Sequence, residues 1–213
     1  MAQILVLAGV NGAGKSSLLG QMLAADGLAW FNPDSFTREL VDRGWQQDQA
    51  NAAAWQEGVA RLRAAMADDR DFAFETTLGG NTIPALLRQA SADHAVSIWF
   101  CGLADVELHL QRVAQRVAAG GHDIPEAKIR QRFDASRANL IELLPRLARL
   151  HVYDNSRPAA ADGTAEPQLV LEFERGRVLY PASVEEMLEV PGWAKPIVAA
   201  ALQADRAAEA GPG

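Results

Sequence analysis

Short blocks of consecutive apolar residues recur through the first 156 positions, separated by stretches whose apolar residues return every three or four. QILVLAGV (3–10), LAWFN (28–32), FAFETT (72–77), AVSIWFCGL (95–103) and RLHVYDNS (149–156) read as strands, the first nearly all apolar, as a strand buried on both faces should be. Between them the helical period predicts helices over Lys15–Ala25, 34–43, 49–67, 83–92 and 105–119. A longer helix follows GGHDIP (120–125) and runs to about Leu144, where Pro145 kinks or ends it. Strands alternating with helices predict an α/β, three-layer αβα fold around a five-stranded parallel sheet. After Ser156 the pattern changes. RPAAADGTAEP reads as a loop, LVLEFERGRVLY as a β-hairpin turning at Arg175 and Gly176, and AAALQADRAAEAGPG as a weakly ordered tail. The expected organisation is a core over 1–156 with a helical lid at about 112–137. Residues 157–213, the loop, hairpin and tail, pack on the same domain.

Composition narrows the class. With 213 residues, 49% hydrophobic and 22% charged, the chain suits one α/β domain. Its net charge of −7 argues against a nucleic-acid binder, whose footprint is usually basic. Cys101 is the single cysteine, so there is no intrachain disulfide, and its place in VSIWFCGL predicts an inert core thiol. MAQILVLAGV has no basic leader and its apolar run is short for a signal peptide; no stretch is long enough to span a bilayer. The expectation is a cytoplasmic protein without a membrane partner.

GVNGAGKSS (9–17) follows the first strand and fits G-x-x-x-x-G-K-[ST]. Gly12 and Gly14 let successive backbone N–H groups turn inward toward phosphates at a helix N-terminus. Gly9, Asn11, Gly12, Ala13, Gly14, Lys15, Ser16 and Ser17 are therefore the nucleotide-binding candidates, with Lys15 reaching the β- and γ-phosphates and Ser16 ligating Mg²⁺. A P-loop NTPase fold follows, but the motif alone does not separate kinases, ATPases and GTPases. A GTPase usually carries an N-K-x-D segment and a motor ATPase a hydrophobic strand ending in Asp-Glu. Neither occurs here.

A kinase needs an acceptor base near the cradle and a cationic lid. FNPDSF sets Asp34 just after the second strand, at the carboxyl edge where parallel sheets bind ligands. Asp34 is either the base that takes an acceptor proton or the cap of the next helix, and one residue can serve both roles. FAFETTLGGN ends the third strand with Glu75, Thr76 and Thr77. Glu75 can hold Mg²⁺ through water or bind a substrate hydroxyl, and the threonines can meet a polar ligand or serve as turn residues. On the helix from Asp105, Val106, Leu110, Val113 and Val117 form a core face, while His109, Arg112 and Arg116 form a second stripe. Beyond the glycine loop come Arg130, Arg132 and Arg137. Arg116 and Arg130, flanking the loop, are the first choice for a phosphate clamp; the alternative is a solvated face paired with Glu107 or Asp134. Asp123 with Glu126 fits a capping box.

Together AGVNGAGKSS, FNPDSF, FAFETTLGG, RVAQRVAAGGHDIPEAKIRQRF and the later VYDNS resemble the zeta toxin family of P-loop kinases, over residues 3 to 156. The likeness is to the chromosomally widespread zeta-like branch. That resemblance implies an ATP- and Mg²⁺-dependent kinase acting on the 3′-hydroxyl of UDP-N-acetylglucosamine. It implies Asp34 as acceptor base, Lys15 and Ser16 at phosphate and metal, and Glu75 with Thr76 or Thr77 at the substrate. Arg116 and Arg130 match the lid arginines only loosely in spacing. A small helical antitoxin is the usual partner in such systems. Two other readings stand beside it: a kinase for an antibiotic or nucleoside, like the chloramphenicol phosphotransferases, and a nucleotide-dependent interaction module without transfer activity.

Overall fold

The computed structural model describes residues 1–17, 20, 27, 29–158 and 167–210. Its strands are β1 (Gln3–Ala8), β2 (Phe72–Thr76), β3 (Ala95–Gly102), β4 (Arg149–Asp154), β5 (Gln168–Glu174) and β6 (Arg177–Tyr180). Its main helices are α1 (Pro33–Asp42), α2 (Gln47–Ala67), α3 (Thr82–Ala90), α4 (Val106–Ala118), α5 (Glu126–Leu143), α6 (Val184–Leu188) and α7 (Lys195–Ala210). One six-stranded sheet runs in the order β2-β1-β3-β4-β5-β6. The first four strands are parallel, and β5 and β6 are antiparallel additions. This is the α/β P-loop NTPase fold with a C-terminal hairpin.

The sheet departs from five parallel strands at the segment 28–32. Among its described residues, Phe31 makes a single parallel bridge to Phe74, donating from its N–H to Ala73 O (2.8 Å) and accepting from Glu75 N–H (2.9 Å). Pro33 then opens α1 directly, which leaves the chain no length to extend the pairing. The hairpin turns at Arg175 and Gly176, both with positive φ, and extends the same sheet beyond β4.

β1 sits inside the sheet with Ile4, Val6, Leu7 and Ala8 fully buried. The register pairs Ala8 with both Thr76 and Phe100, so the carboxyl ends of β1, β2 and β3 lie along one edge. That alignment gathers the segments after them into one crevice. As far as Ala210 the alanine-rich segment is not a tail. α7 runs through Lys195–Ala210 and buries Ile197, Val198 and Ala201 against the core, since alanine is both a strong helix former and small enough to pack closely. Ahead of it, Trp193 fills the space beside Gly102, where a Cβ would lie 2.2 Å from the indole, and its Nε1–H donates to Asp154 (3.0 Å). Of the helix expected over Lys15–Ala25, Lys15, Ser16, Ser17 and Gly20 are helical; the rest lies outside the described residues, as does most of the 157–167 loop. No helix among the described residues is long and apolar enough to cross a membrane.

Candidate active site

The loop after β1 is shaped by glycine at positions that admit no other residue easily. Gly9 (φ 139°) lies so close to β3 that a Cβ would sit 2.1 Å from the Cys101 carbonyl oxygen. Gly12 (φ 83°) and Gly14 (φ 94°) turn the chain through the left-handed region. Side chains from outside the loop hold its carbonyls. His109 donates from Nδ1 to Asn11 O (2.8 Å), the donor assigned because its partner is a carbonyl. Asn155 Nδ2 (2.9 Å) and the Cys101 thiol (3.0 Å) both donate to Ala13 O. Arg112 in turn donates to Asn155 O (2.8 Å). Ala13 N–H turns back to Val10 O (3.1 Å); the other N–H groups of such a loop are the ones that meet an anion. Burial pushes the His109 imidazole down to about 4 and the Cys101 thiol up to about 12.

Lys15 is buried, with Nζ 3.4 Å from Val10 O and 3.6 Å from Glu75 Oε1. Ser16 donates from Oγ to Glu75 Oε2 (2.7 Å). A hydroxyl and a carboxylate are hard oxygen donors, and Mg²⁺ is commonly held by one or two such groups together with phosphate oxygens, so the pair fits that ion. Asn32 closes the group, donating from Nδ2 to Glu75 Oε2 (2.9 Å) and Ser16 Oγ (3.2 Å). The same Asn32 caps α1, its Oδ1 accepting from the N–H groups of Asp34 (2.8 Å) and Ser35 (3.1 Å). Asp34 is thus not the cap. It lies in the first turn with an exposed carboxylate.

A cavity of about 410 Å³ opens beside the cradle. Lys15, Asp34, Glu75, Thr76, Thr77 and Arg132 all line it. Its further wall is apolar, built from Phe31, Trp55, Val59 and Ile83 of the α1–α3 region, with Lys128 and the 122–125 loop opposite. Thr76 and Thr77 also act as turn residues, their Oγ1 atoms accepting from Leu78 N–H (3.1 Å) and Gly79 N–H (3.4 Å). Leu78 sits at φ 55°, and Asn139 of α5 clamps the bend by donating to the carbonyls of Leu78 (2.7 Å) and Gly80 (3.0 Å).

The two arginines picked from sequence part company. Arg116 reaches the site: its Nη1 is 3.8 Å from Asp34 Oδ2, its Nη2 donates to His122 O (3.1 Å), and its buried Nε has no partner among the described residues. Arg130 does not. It points away to Glu107 and Glu126, each at 2.8 Å, which hold its charge in place and raise its pKa. Arg137 likewise pairs with Asp134 and stacks on Phe133. Arg132 takes the position instead, donating to Asn11 Oδ1 (2.7 Å) from a half-buried guanidinium. Burial lowers its pKa, and the negative Asp34 opposes the shift. The Asp123–Glu126 box does not form either; Pro125 precedes α5, and Asp123 accepts from Ile124 N–H instead. Asn32 and Lys128 are the residues of this site that motif reading passed over, and Arg132 stood among the lid arginines without being the first choice. Gly9, Gly12, Ala13, Gly14 and Ser17 lie in or just after the cradle.

Fold and cradle together define a P-loop protein. A family model described as an AAA domain matches residues 4–140, and the chain belongs to that family. An uncharacterized protein of Haemophilus influenzae is 27% identical over 134 residues, covering 59% of this chain and 88% of that one. Two solved structures share the fold at low identity. AvrRxo1-ORF1 in complex with AvrRxo1-ORF2, determined with sulphate ions, is 16% identical (TM-score 0.58) and covers 100% of this chain and 77% of its own. The PezAT chromosomal toxin-antitoxin system of Streptococcus pneumoniae is 12% identical (TM-score 0.53), covering 95% and 84%.

Proposed function

We propose that this chain is an ATP-dependent kinase of zeta-toxin type, transferring the γ-phosphate to a hydroxyl of a small polar acceptor. The first acceptor to test is the 3′-hydroxyl of UDP-N-acetylglucosamine. The observation that carries the reading is the carboxylate of Asp34, exposed to the same cavity as Lys15 and 3.8 Å from Arg116. A cradle for phosphate needs no such base across the crevice; an acceptor hydroxyl does.

In the step proposed, the acceptor O–H bond breaks and its proton passes to Asp34. The acceptor oxygen bonds to the γ-phosphorus as the bond to the β–γ bridging oxygen breaks, releasing ADP. Lys15 and the inward N–H groups of residues 9–17 hold the phosphates. Arg116 and Arg132 offset charge on the transferring group. Ser16, with Glu75 behind it, would hold Mg²⁺, which neutralises phosphate charge when bound. Glu75, Thr76 and Thr77 border the acceptor, and residues 112–137 act as the lid of a core spanning 1–156. A small helical antitoxin is the proposed partner, in keeping with the two-component assemblies named for the similar structures.

The apolar wall of Phe31, Trp55, Val59 and Ile83 favours a second acceptor class, an antibiotic or nucleoside presenting a ring. One experiment separates the readings. The protein is incubated with ATP, Mg²⁺ and each acceptor, or a cell metabolite extract, and new phosphorylated species are found by mass. Asp34→Asn abolishes the product while MgATP binding persists. Normal transfer by that variant removes Asp34 as base, and absence of any product with the unaltered chain removes the kinase reading.

A further inference from the structure

We propose that Asn32 is a positioning residue, fixing the helix that carries Asp34 to the metal side of the cradle. The proposal rests on the reading of Asp34 as acceptor base and Glu75 as a metal-side carboxylate.

The geometry of the amide is over-determined. Oδ1 accepts from two backbone donors, the N–H groups of Asp34 and Ser35. That orients the group, because an NH₂ cannot accept from either. Nδ2 must then face the other way, where it donates to Glu75 Oε2 (2.9 Å) and Ser16 Oγ (3.2 Å). Two bonds accepted and two donated use all that an amide side chain offers. Ser16, donating to the same Glu75 oxygen at 2.7 Å, closes the triangle. The backbone reinforces it one residue earlier, where Phe31 O accepts from Glu75 N–H (2.9 Å).

A cap alone does not call for this residue. Serine, threonine and aspartate cap helices about as well as asparagine. Only asparagine accepts from the helix and donates to a carboxylate at the same time from so short a side chain. Aspartate would turn a second negative charge on Glu75, and serine has no second arm. The single amide therefore sets how far Asp34, two residues on, stands from the phosphates gripped by Lys15 and Ser16. A displacement of about 1 Å in such an alignment costs on the order of a hundredfold in rate.

Asn32→Ser keeps the capping oxygen and removes the bridge; Asn32→Asp keeps the oxygen and repels Glu75. Each is compared with the unaltered chain for melting temperature, for kcat and KM with MgATP and UDP-N-acetylglucosamine or the acceptor found in extract, and for ATP affinity with Mg²⁺ or with EDTA. The expected result is a melting temperature for Asn32→Ser near that of the unaltered chain, kcat at least tenfold lower in both variants, KM for the acceptor unchanged, and a several-fold smaller Mg²⁺-dependent gain in ATP affinity. Unaltered kcat in both variants overturns the proposal. Asn32→Ala, which removes cap and bridge together, is measured beside them; a fall in kcat confined to it and rescued by serine also overturns the proposal, since capping would then be the whole role. If the unaltered chain phosphorylates nothing, the kinase reading fails, and the binding measurement decides. Loss in Asn32→Ser of several-fold in the Mg²⁺-dependent gain of ATP affinity upholds the tie to the metal side, and an unchanged gain overturns it.

Discussion

His109 gives the fold a measurable sensitivity to acid. Its ring is 1% exposed, donates to Asn11 O and meets Phe133 edge-on at 5.6 Å. Burial lowers its pKa from 6.5 to about 4; the Asn11 contact opposes this, and the positive Lys15 and Arg112 add to it. Below pH 6.5 the unfolded chain takes up a proton at His109 that the folded chain refuses until about pH 4. The unfolded state then binds more protons, so stability falls as pH falls through that window and is unaffected by His109 above it. Integrating between those two values gives a loss of about 2 kcal/mol from pH 8 to pH 5. His109→Gln can still donate to Asn11 O but does not titrate. Urea unfolding of both proteins at pH 8, 6.5 and 5 should show the unaltered chain losing about 2 kcal/mol more than the variant. Carboxylate contributions are common to both and cancel in the comparison. Parallel pH dependences would refute the reasoning, because His109 would then be charged in the folded state despite its burial.

Three other outcomes follow from contacts in the same region. Gly12→Ala should cost on the order of 2 kcal/mol in urea unfolding and weaken MgATP binding, since the residue keeps φ 83° and its Cβ would lie 2.9 Å from His109 O. Arg132→Ala should lower transfer at least tenfold, whereas Arg130→Ala should leave it within twofold and barely change stability, as exposed ion pairs do; steady-state kinetics and unfolding check both. Cys101, buried with its thiol pushed up to about 12, should resist alkylation at pH 8 and react fully in urea, as quantified by mass.

Where one interaction dominates locally, the sequence was legible. The nearly all-apolar run through Ile4–Ala8, the glycine-lysine loop after it and the Val106–Val117 stripe all appear where periodicity and motif set them. The Arg175–Gly176 turn does too, because both residues take the positive φ that a tight hairpin demands. What stayed hidden depends on contacts across the fold. The cap at FNPDSF is Asn32 rather than Asp34, as Pro33 in the first helical position requires. What no local pattern gives is the second use of that amide, its bond to Glu75, 43 positions away.

Arg132 rather than Arg130 faces the cradle, and the sequence contains a signal for it. Residues two positions apart on a helix point about 200° from one another, so these arginines cannot share a face. Ile129, Ser136, Leu140 and Leu143 are the buried residues of α5 and recur at helical spacing. Arg132 falls on that stripe, three residues after Ile129 and four before Ser136, while Arg130 falls off it beside Glu126. A guanidinium on a buried stripe must find a partner inside, and here it finds Asn11 of the cradle. One on the opposite face finds surface carboxylates. Arg130 is nearer the glycine loop in sequence; the apolar period, carried one helix further, singles out Arg132.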